Sequence, residues 1–212
     1  MQNLEVIPKS PTVALALAVR GGLAAGQTGV VLARAGTGKS PFLVQLALDA
    51  MLRGTDVLHV SLDHAQAHVR TYYDEIFSEL TASNRSGSRT EEALAIERHR
   101  VIHSCLGRPF LASDLDNLMS TLSSVMDFSP SLVIVDGLEA TGIDCASWSA
   151  VARRSSVRLW LGVRTHRDQG PSAESLAANF PTAVALEPEG ERISIRIPVS
   201  YTHLTLPTSD LV

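Results

Sequence analysis

The sequence predicts a three-layer α/β fold: a mostly parallel sheet, helices on both of its faces, and an antiparallel C-terminal hairpin at one edge. Three observations carry that expectation. From Gly29 onward, short apolar runs alternate with segments whose apolar residues recur every three or four positions, as in strands feeding amphipathic helices. A glycine-rich loop, Ala35-Gly36-Thr37-Gly38, lies between the first run and the first helix. The closing pair of strand-like segments is separated only by Glu187-Pro188-Glu189-Gly190, a hairpin spacing.

Gly29–Ala33 (GVVLA) is almost wholly apolar, as suits a strand covered on both faces. Residues 40–53 then hold no strong turn signal until Gly54, which sits where a helix C′ glycine belongs. Asp56–Leu62 (DVLHVSL) reads as the second strand. Val69, Tyr72, Tyr73, Ile76, Phe77 and Leu80 form one apolar helical face, with both tyrosines in the core. The polar stretch 81–90 predicts an exposed loop, followed by a short charged helix and a third strand over Arg100–Ser104. Ser113 with Asp116 resembles a capping box, opening a helix striped by Leu115, Leu118, Met119, Leu122, Val125 and Met126. Leu132–Val135 and Val157–Val163 supply two more strands, and Thr182–Leu186 with Arg192–Ile197 the hairpin. No internal repeat is legible, and residues 1–197 are expected to form a single domain.

Residues 198–212 stand apart. Val199–Thr208 back-translates into ten consecutive codons of the mosaic-end adapter used in transposase-based DNA libraries, whose preceding bases complete a proline codon at Pro198. Sequence of that origin is set aside when reasoning about a fold. The expectation is a domain truncated at its C-terminus, carrying a tail that packs poorly.

Composition narrows the function classes. Of 212 residues, 45% are hydrophobic and 19% charged, which excludes a disordered tail protein and a coiled coil. Lys and Arg number 18 against 22 Asp and Glu, for a net charge of −4. That balance lacks the positive field of a dedicated nucleic-acid clamp. Cys105 and Cys145 are too few for a disulfide framework or a zinc site. With no signal peptide and no membrane span legible, the expected location is the cytoplasm.

The strongest chemical signal is Ala33-Arg34-Ala35-Gly36-Thr37-Gly38-Lys39-Ser40, which matches the phosphate-loop pattern everywhere but its first position. Gly36 and Gly38 let backbone N–H groups turn toward phosphate oxygens with no Cβ in the way. Lys39 would set its ammonium on the β and γ phosphates, and Ser40 would give its hydroxyl to Mg²⁺. Pro41 falls in the first helical turn, where its missing N–H costs little. Ala35, Gly36, Thr37, Gly38, Lys39, Ser40 and Pro41 are therefore the expected nucleotide-lining residues. A plain glycine turn with a solvated Lys39 is the alternative, and the placement between strand and helix argues against it. Further on, Leu132-Val133-Ile134-Val135-Asp136 is an apolar strand ending in an acid, which could hold Mg²⁺ through its water shell or simply form a turn.

Three blocks together resemble the RecA-like ATPases, particularly the branch of DnaB-type helicases and KaiC-like proteins. They are GQTGVVLARAGTGKSPFLVQLALDAMLRG, VLHVSLDHAQAHV, and SLVIVDGLEA followed by RLWLGVRTHR, within about residues 26–167. The resemblance implies a RecA-like P-loop NTPase fold and ATP with Mg²⁺ as ligands. It also implies that Asp63, at the end of the second strand, activates the attacking water, with Lys39 and Asp136 completing the catalytic set. Glutamate is usual at that place, and aspartate is one methylene shorter; Asp63 could equally cap the next helix. The family's γ-phosphate sensor falls on Arg164-Thr165-His166-Arg167, where the familiar glutamine is absent. Thr165 or His166 would contact phosphate or water, and either arginine could instead reach a neighbouring subunit's nucleotide in a homo-oligomer. A polar loop is the simpler account of those four residues.

His64 and His68 share a helical face, but no third ligand is signalled, so a solvated face is the better reading than zinc. His59 falls inside a strand and reads as a packing or hydrogen-bonding residue. Two functions from different classes remain: a Mg²⁺-dependent ATPase, and a nucleotide-binding regulatory or scaffold module with little hydrolysis. A nucleic-acid motor is disfavoured by the acidic balance and 5% aromatic content. The sequence names no protein partner.

Overall fold

The computed structural model describes residues 23–82, 89–166, 175–176, 178–189, 192–196 and 203–206. One sheet organises them. Its strands are β1 (Thr28–Ala33), β2 (Val57–Ser61), β3 (Arg100–Ser104), β4 (Leu132–Glu139), β5 (Arg158–Arg164), β6 (Thr182–Glu189), β7 (Arg192–Arg196) and β8 (His203–Leu206), in the spatial order β3-β2-β4-β5-β1-β6-β7-β8. The pairings from β3 through β6 are parallel, while β7 and β8 each run antiparallel to the preceding strand.

Helices cover both faces because the central strands are apolar on both. On one face lie α1 (Lys39–Leu52), α2 (Gln66–Ala82) and α3 (Arg89–Arg98), packed on Val31, Val57, Ile134 and Trp160. On the other lie α4 (Ala112–Met126) and α5 (Cys145–Ser155), packed on Val30, Leu58, Val133 and Leu161. Helix α1 is buried on most of its circumference. It ends as predicted, with Gly54 at φ 77° and its N–H donating to the Met51 carbonyl at 2.9 Å. Gly29 lets β1 pass Trp160: a Cβ there would lie 2.6 Å from the indole ring.

The structure corrects several local expectations. Helix α4 opens earlier than Ser113/Asp116 implied, with Leu111 before its first turn. Asp114 accepts from the Leu111 N–H at 2.8 Å, while Asp116 pairs with Arg154. Val125 and Met126 lie exposed at the end of α4, beyond the sheet that buries Leu115, Met119 and Leu122. Tyr73 is buried, but Tyr72 is only half-buried and packs edge-on to the His64 and His68 rings. Within the stretch 81–90, residues 81–82 and 89–90 belong to helices and 83–88 lie outside the described residues. Helix α5 is absent from the sequence-based expectation, although Asp144 accepts from the Ser147 N–H at its start and Trp148, Val151 and Ala152 make its buried stripe.

Of the tail, His203–Leu206 is described and adds β8 to β7. An edge strand offers a free row of N–H and C=O groups to any extended segment that reaches it, so backbone pairing there asks little of sequence. No helix among the described residues is long and apolar enough to cross a membrane.

Candidate nucleotide site

The site gathers at the C-terminal ends of the parallel strands, starting from the loop between β1 and α1. Gly36 and Gly38 both take positive φ, 74° and 78°. A Cβ on Gly36 would meet nothing within 4 Å, so backbone conformation is what demands glycine there. Thr37 closes the loop, its hydroxyl donating to the Arg34 carbonyl at 2.6 Å. No side chain caps α1, which begins at Lys39 with Gly38 as its N-cap. Its first N–H groups and the positive end of the helix dipole thus face the loop, an arrangement that favours an anion. Ala35 and Gly36 are exposed on the loop, Thr37 is buried, and Pro41 is half-buried in the first turn.

Beneath the loop, two elements far apart in sequence meet. Lys39 Nζ donates to Asp136 Oδ1, and Ser40 Oγ donates to Asp136 Oδ2 at 2.5 Å. Lys39 and Asp136 are both buried. Burial alone would raise the Asp136 carboxyl pKa, but the Lys39 ammonium and the charge-favouring hydrogen bonds outweigh it and hold the group below its ordinary value. Space for that carboxylate comes from β5: a Cβ on Gly162 would lie 2.5 Å from Asp136 Oδ1 and 2.6 Å from Leu43 Cδ1. On the same sheet face, His59 is buried and hydrogen-bonded through Nδ1 to the Tyr73 hydroxyl at 2.8 Å, in keeping with a packing and hydrogen-bonding role.

A second cluster forms the rim. Asp63 is not a helix cap, since α2 begins only at Gln66 and the Asp63 carboxylate turns to β5. There Arg164 Nη2 donates to Asp63 Oδ2 at 2.8 Å, and Arg164 Nη1 donates to Glu139 Oε1 at 3.2 Å. His166 Nε2 donates to the other Glu139 oxygen, Oε2, at 2.8 Å. Arg164 is thereby engaged within its own chain, and Arg167 lies outside the described residues. Thr165 is tied to the loop by its backbone, with its N–H donating to the Ala33 carbonyl at 2.9 Å. These pairs are partly solvent-exposed, and such pairs contribute about 0–1 kcal/mol each. Their consequence is geometry rather than stability.

Glu139 is the site residue that the sequence pattern does not reveal, and a β-bulge explains its place. Along β4, Leu132 and Ile134 face the α1 side with Asp136, and Val133 and Val135 face the other. Register shifts by one residue between Asp136 and Leu138, so Asp136 pairs with Gly162, Leu138 with Val163, and Glu139 with Arg164. Gly137, at φ 103°, absorbs the extra residue. Without it Glu139 would face the α4/α5 layer; with it, Glu139 returns to the face of Asp136. The glycine also seats Asp63, because a Cβ there would lie 2.8 Å from the Asp63 carboxylate. A lone glycine in an apolar strand was the available signal.

The donors fit a magnesium nucleotide. Ser40 and Asp136 present hard oxygen atoms together, as Mg²⁺ requires, and Lys39 stands beside them under an open glycine loop. His64 and His68 stack on one another at 4.7 Å, and no group of three or more His, Cys, Asp or Glu side chains among the described residues could hold a metal.

Comparison with known proteins agrees with this geometry. The AAA domain family matches residues 8–168. A solved ATPase domain, that of a DnaB-like helicase, superposes with a TM-score of 0.64 at 13% sequence identity, over 94% of this chain and 86% of that one. No curated protein matches the sequence. The chain belongs to the AAA domain family, as a RecA-like P-loop ATPase domain of the DnaB branch.

Proposed function

We propose that the protein is a Mg²⁺-dependent ATPase that converts ATP and water to ADP and phosphate. One observation carries the reading: Lys39, Ser40 and Asp136, from a helix start and a strand end far apart in sequence, converge in a buried cluster beneath a glycine loop. Loop N–H groups over Ala35–Ser40 and the start of α1 hold the phosphates. Lys39 moves from Asp136 onto the β and γ phosphates, and Ser40 and Asp136 turn their oxygens to the metal. Bound Mg²⁺ supplies neutralisation of the charge that builds on the phosphate oxygens. Asp63 orients a water, whose oxygen attacks the γ-phosphorus while the bond to the β–γ bridging oxygen breaks and ADP departs with the electron pair. The water's proton passes to the Asp63 carboxylate. Thr165 and His166, held beside the loop, face the transferred phosphoryl group.

A second reading, a nucleotide-binding regulatory or scaffold module with little hydrolysis, is favoured by Asp63 itself. Its side chain is short, and Arg164 occupies one carboxylate oxygen. A nucleic-acid motor is the weaker reading, and the net charge of −4 counts against it. We place the protein in the cytoplasm, with nucleotide as its ligand and a homo-oligomer as the assembly that RecA-like sites favour.

Steady-state phosphate release from ATP and Mg²⁺, with and without Lys39→Ala, tests the proposal. Turnover that falls ~10²-fold or more in the variant is the expected result. Equal turnover in both would defeat the ATPase reading, and equal nucleotide binding in a titration would defeat the site.

A further inference from the structure

We propose that Glu139 is a positioning residue for hydrolysis. One carboxylate oxygen holds Arg164 against Asp63, the other holds His166 beside the phosphate loop, and the side chain thereby couples the water-positioning acid to the phosphate-facing segment. The inference rests on the reading of Asp63 as that acid.

Three features support it. First, Glu139 uses both oxygens on different partners, Arg164 at 3.2 Å and His166 at 2.8 Å. Arg164 in turn spends its second terminal nitrogen on Asp63 at 2.8 Å. The chain Asp63–Arg164–Glu139–His166 therefore spans the ends of β2, β5 and β4, with each link a charged or hydrogen-bonded contact. Second, the backbone is deformed to make the chain: Gly137 adopts φ 103° and the β4–β5 register slips by one, which alone brings Glu139 to the face of Asp136 and Arg164. Exposed ion pairs stabilise a fold too little to account for that deformation. Third, Asp63 needs an outside hold. Its carboxylate rests against the Cβ-free Gly137, and among the described residues its hydrogen-bond and ion-pair partner is Arg164. An arginine tethered at one end only would leave the guanidinium free to rotate; Glu139 fixes the other end.

A carboxylate that positions through another group leaves a distinct kinetic trace. It should act on kcat, because water placement matters in the transition state, and leave nucleotide affinity alone. Its effect should also vanish once Arg164 is gone, since both belong to one chain of contacts.

The test uses the full-length protein and four variants: Asp63→Asn, Glu139→Gln, Arg164→Ala, and the double variant Glu139→Gln/Arg164→Ala. Phosphate release over a range of ATP gives kcat and KM, and a fluorescent ADP analogue gives affinity. Glu139→Gln should lower kcat ~10-fold or more with KM and ADP affinity within ~2-fold. In the Arg164→Ala background the same change should cost less than ~2-fold. A kcat unchanged by Glu139→Gln while Asp63→Asn abolishes turnover would overturn the role of Glu139 and leave that of Asp63. Unchanged turnover in Asp63→Asn would overturn both. A full-sized effect of Glu139→Gln in the Arg164→Ala background, or an equal loss in ADP affinity, would show that Glu139 does not act through Arg164.

Discussion

Replacing Gly162 by alanine places a methyl group where the metal-facing carboxylate now sits. The new Cβ would lie 2.5 Å from Asp136 Oδ1, 2.6 Å from Leu43 Cδ1 and 3.3 Å from Asp136 Cα. Ordinary contact begins near 3.4 Å, so the carboxylate must retreat by about 0.9 Å. Leu43 can swing its terminal methyl, but Asp136 is held on both oxygens by Lys39 and Ser40 and is buried. Overpacking of this kind costs about 1–3 kcal/mol. In a chain of this size that lowers Tm by about 2–12 °C. A displacement near 1 Å in a positioned catalytic group costs ~10²-fold in turnover. Gly29→Ala is the matched control, because its Cβ would strike the Trp160 ring at 2.6 Å within the hydrophobic core. Thermal unfolding by circular dichroism and phosphate release well below both transitions separate the two effects. Both variants should lose Tm, and only Gly162→Ala should lose turnover per folded molecule. If Gly162→Ala keeps turnover within ~2-fold, the carboxylate seat on β5 is not what positions Asp136, and the reasoning is wrong.

Two further outcomes follow from the same geometry. Burial pushes the His59 imidazole down to about 4 from 6.5, with the positive charges of Lys39 and Arg100 adding to the effect and Asp136 opposing it. The unfolded chain therefore binds the extra proton between those values. The His59 contribution to stability is complete above pH 6.5 and is lost as pH falls toward 4. Urea unfolding at pH 7 and pH ~4.5 should show a wild-type loss about 2 kcal/mol larger than that of His59→Gln, which keeps a hydrogen-bonding partner for Tyr73; equal losses would exclude a buried neutral imidazole. Gly137→Ala combines an unfavourable φ of 103° with a contact of 2.8 Å to the Asp63 carboxylate. It should lower kcat ~10-fold or more while leaving ADP binding near wild type, and a variant with normal kcat would show that the bulge does not seat Asp63.

Much of the site is legible in the sequence because its geometry is local. A glycine loop between an apolar strand and a helix imposes its own backbone conformation, and Gly36 and Gly38 do take the positive φ that this requires. Lys39 and Ser40 follow from adjacency to that loop. Asp136 can be expected as well, because an apolar run ending in an acid marks the end of a buried parallel strand. The strands and most helices follow from period alone, whereas α5 is missed because its stripe of Trp148, Val151 and Ala152 is short. What tertiary structure alone decided is which polar groups meet at the rim. Asp63 and Arg164 are 101 residues apart, and nothing local to either names the other. Glu139 depends on something finer still. In a strand the facing of every side chain alternates, so one extra residue at Gly137 reverses all that follow. Composition is the same with or without the bulge; the packing of β4 between β2 and β5, with Leu138 buried on one face and Asp136 on the other, selects the register that joins Glu139 to the site.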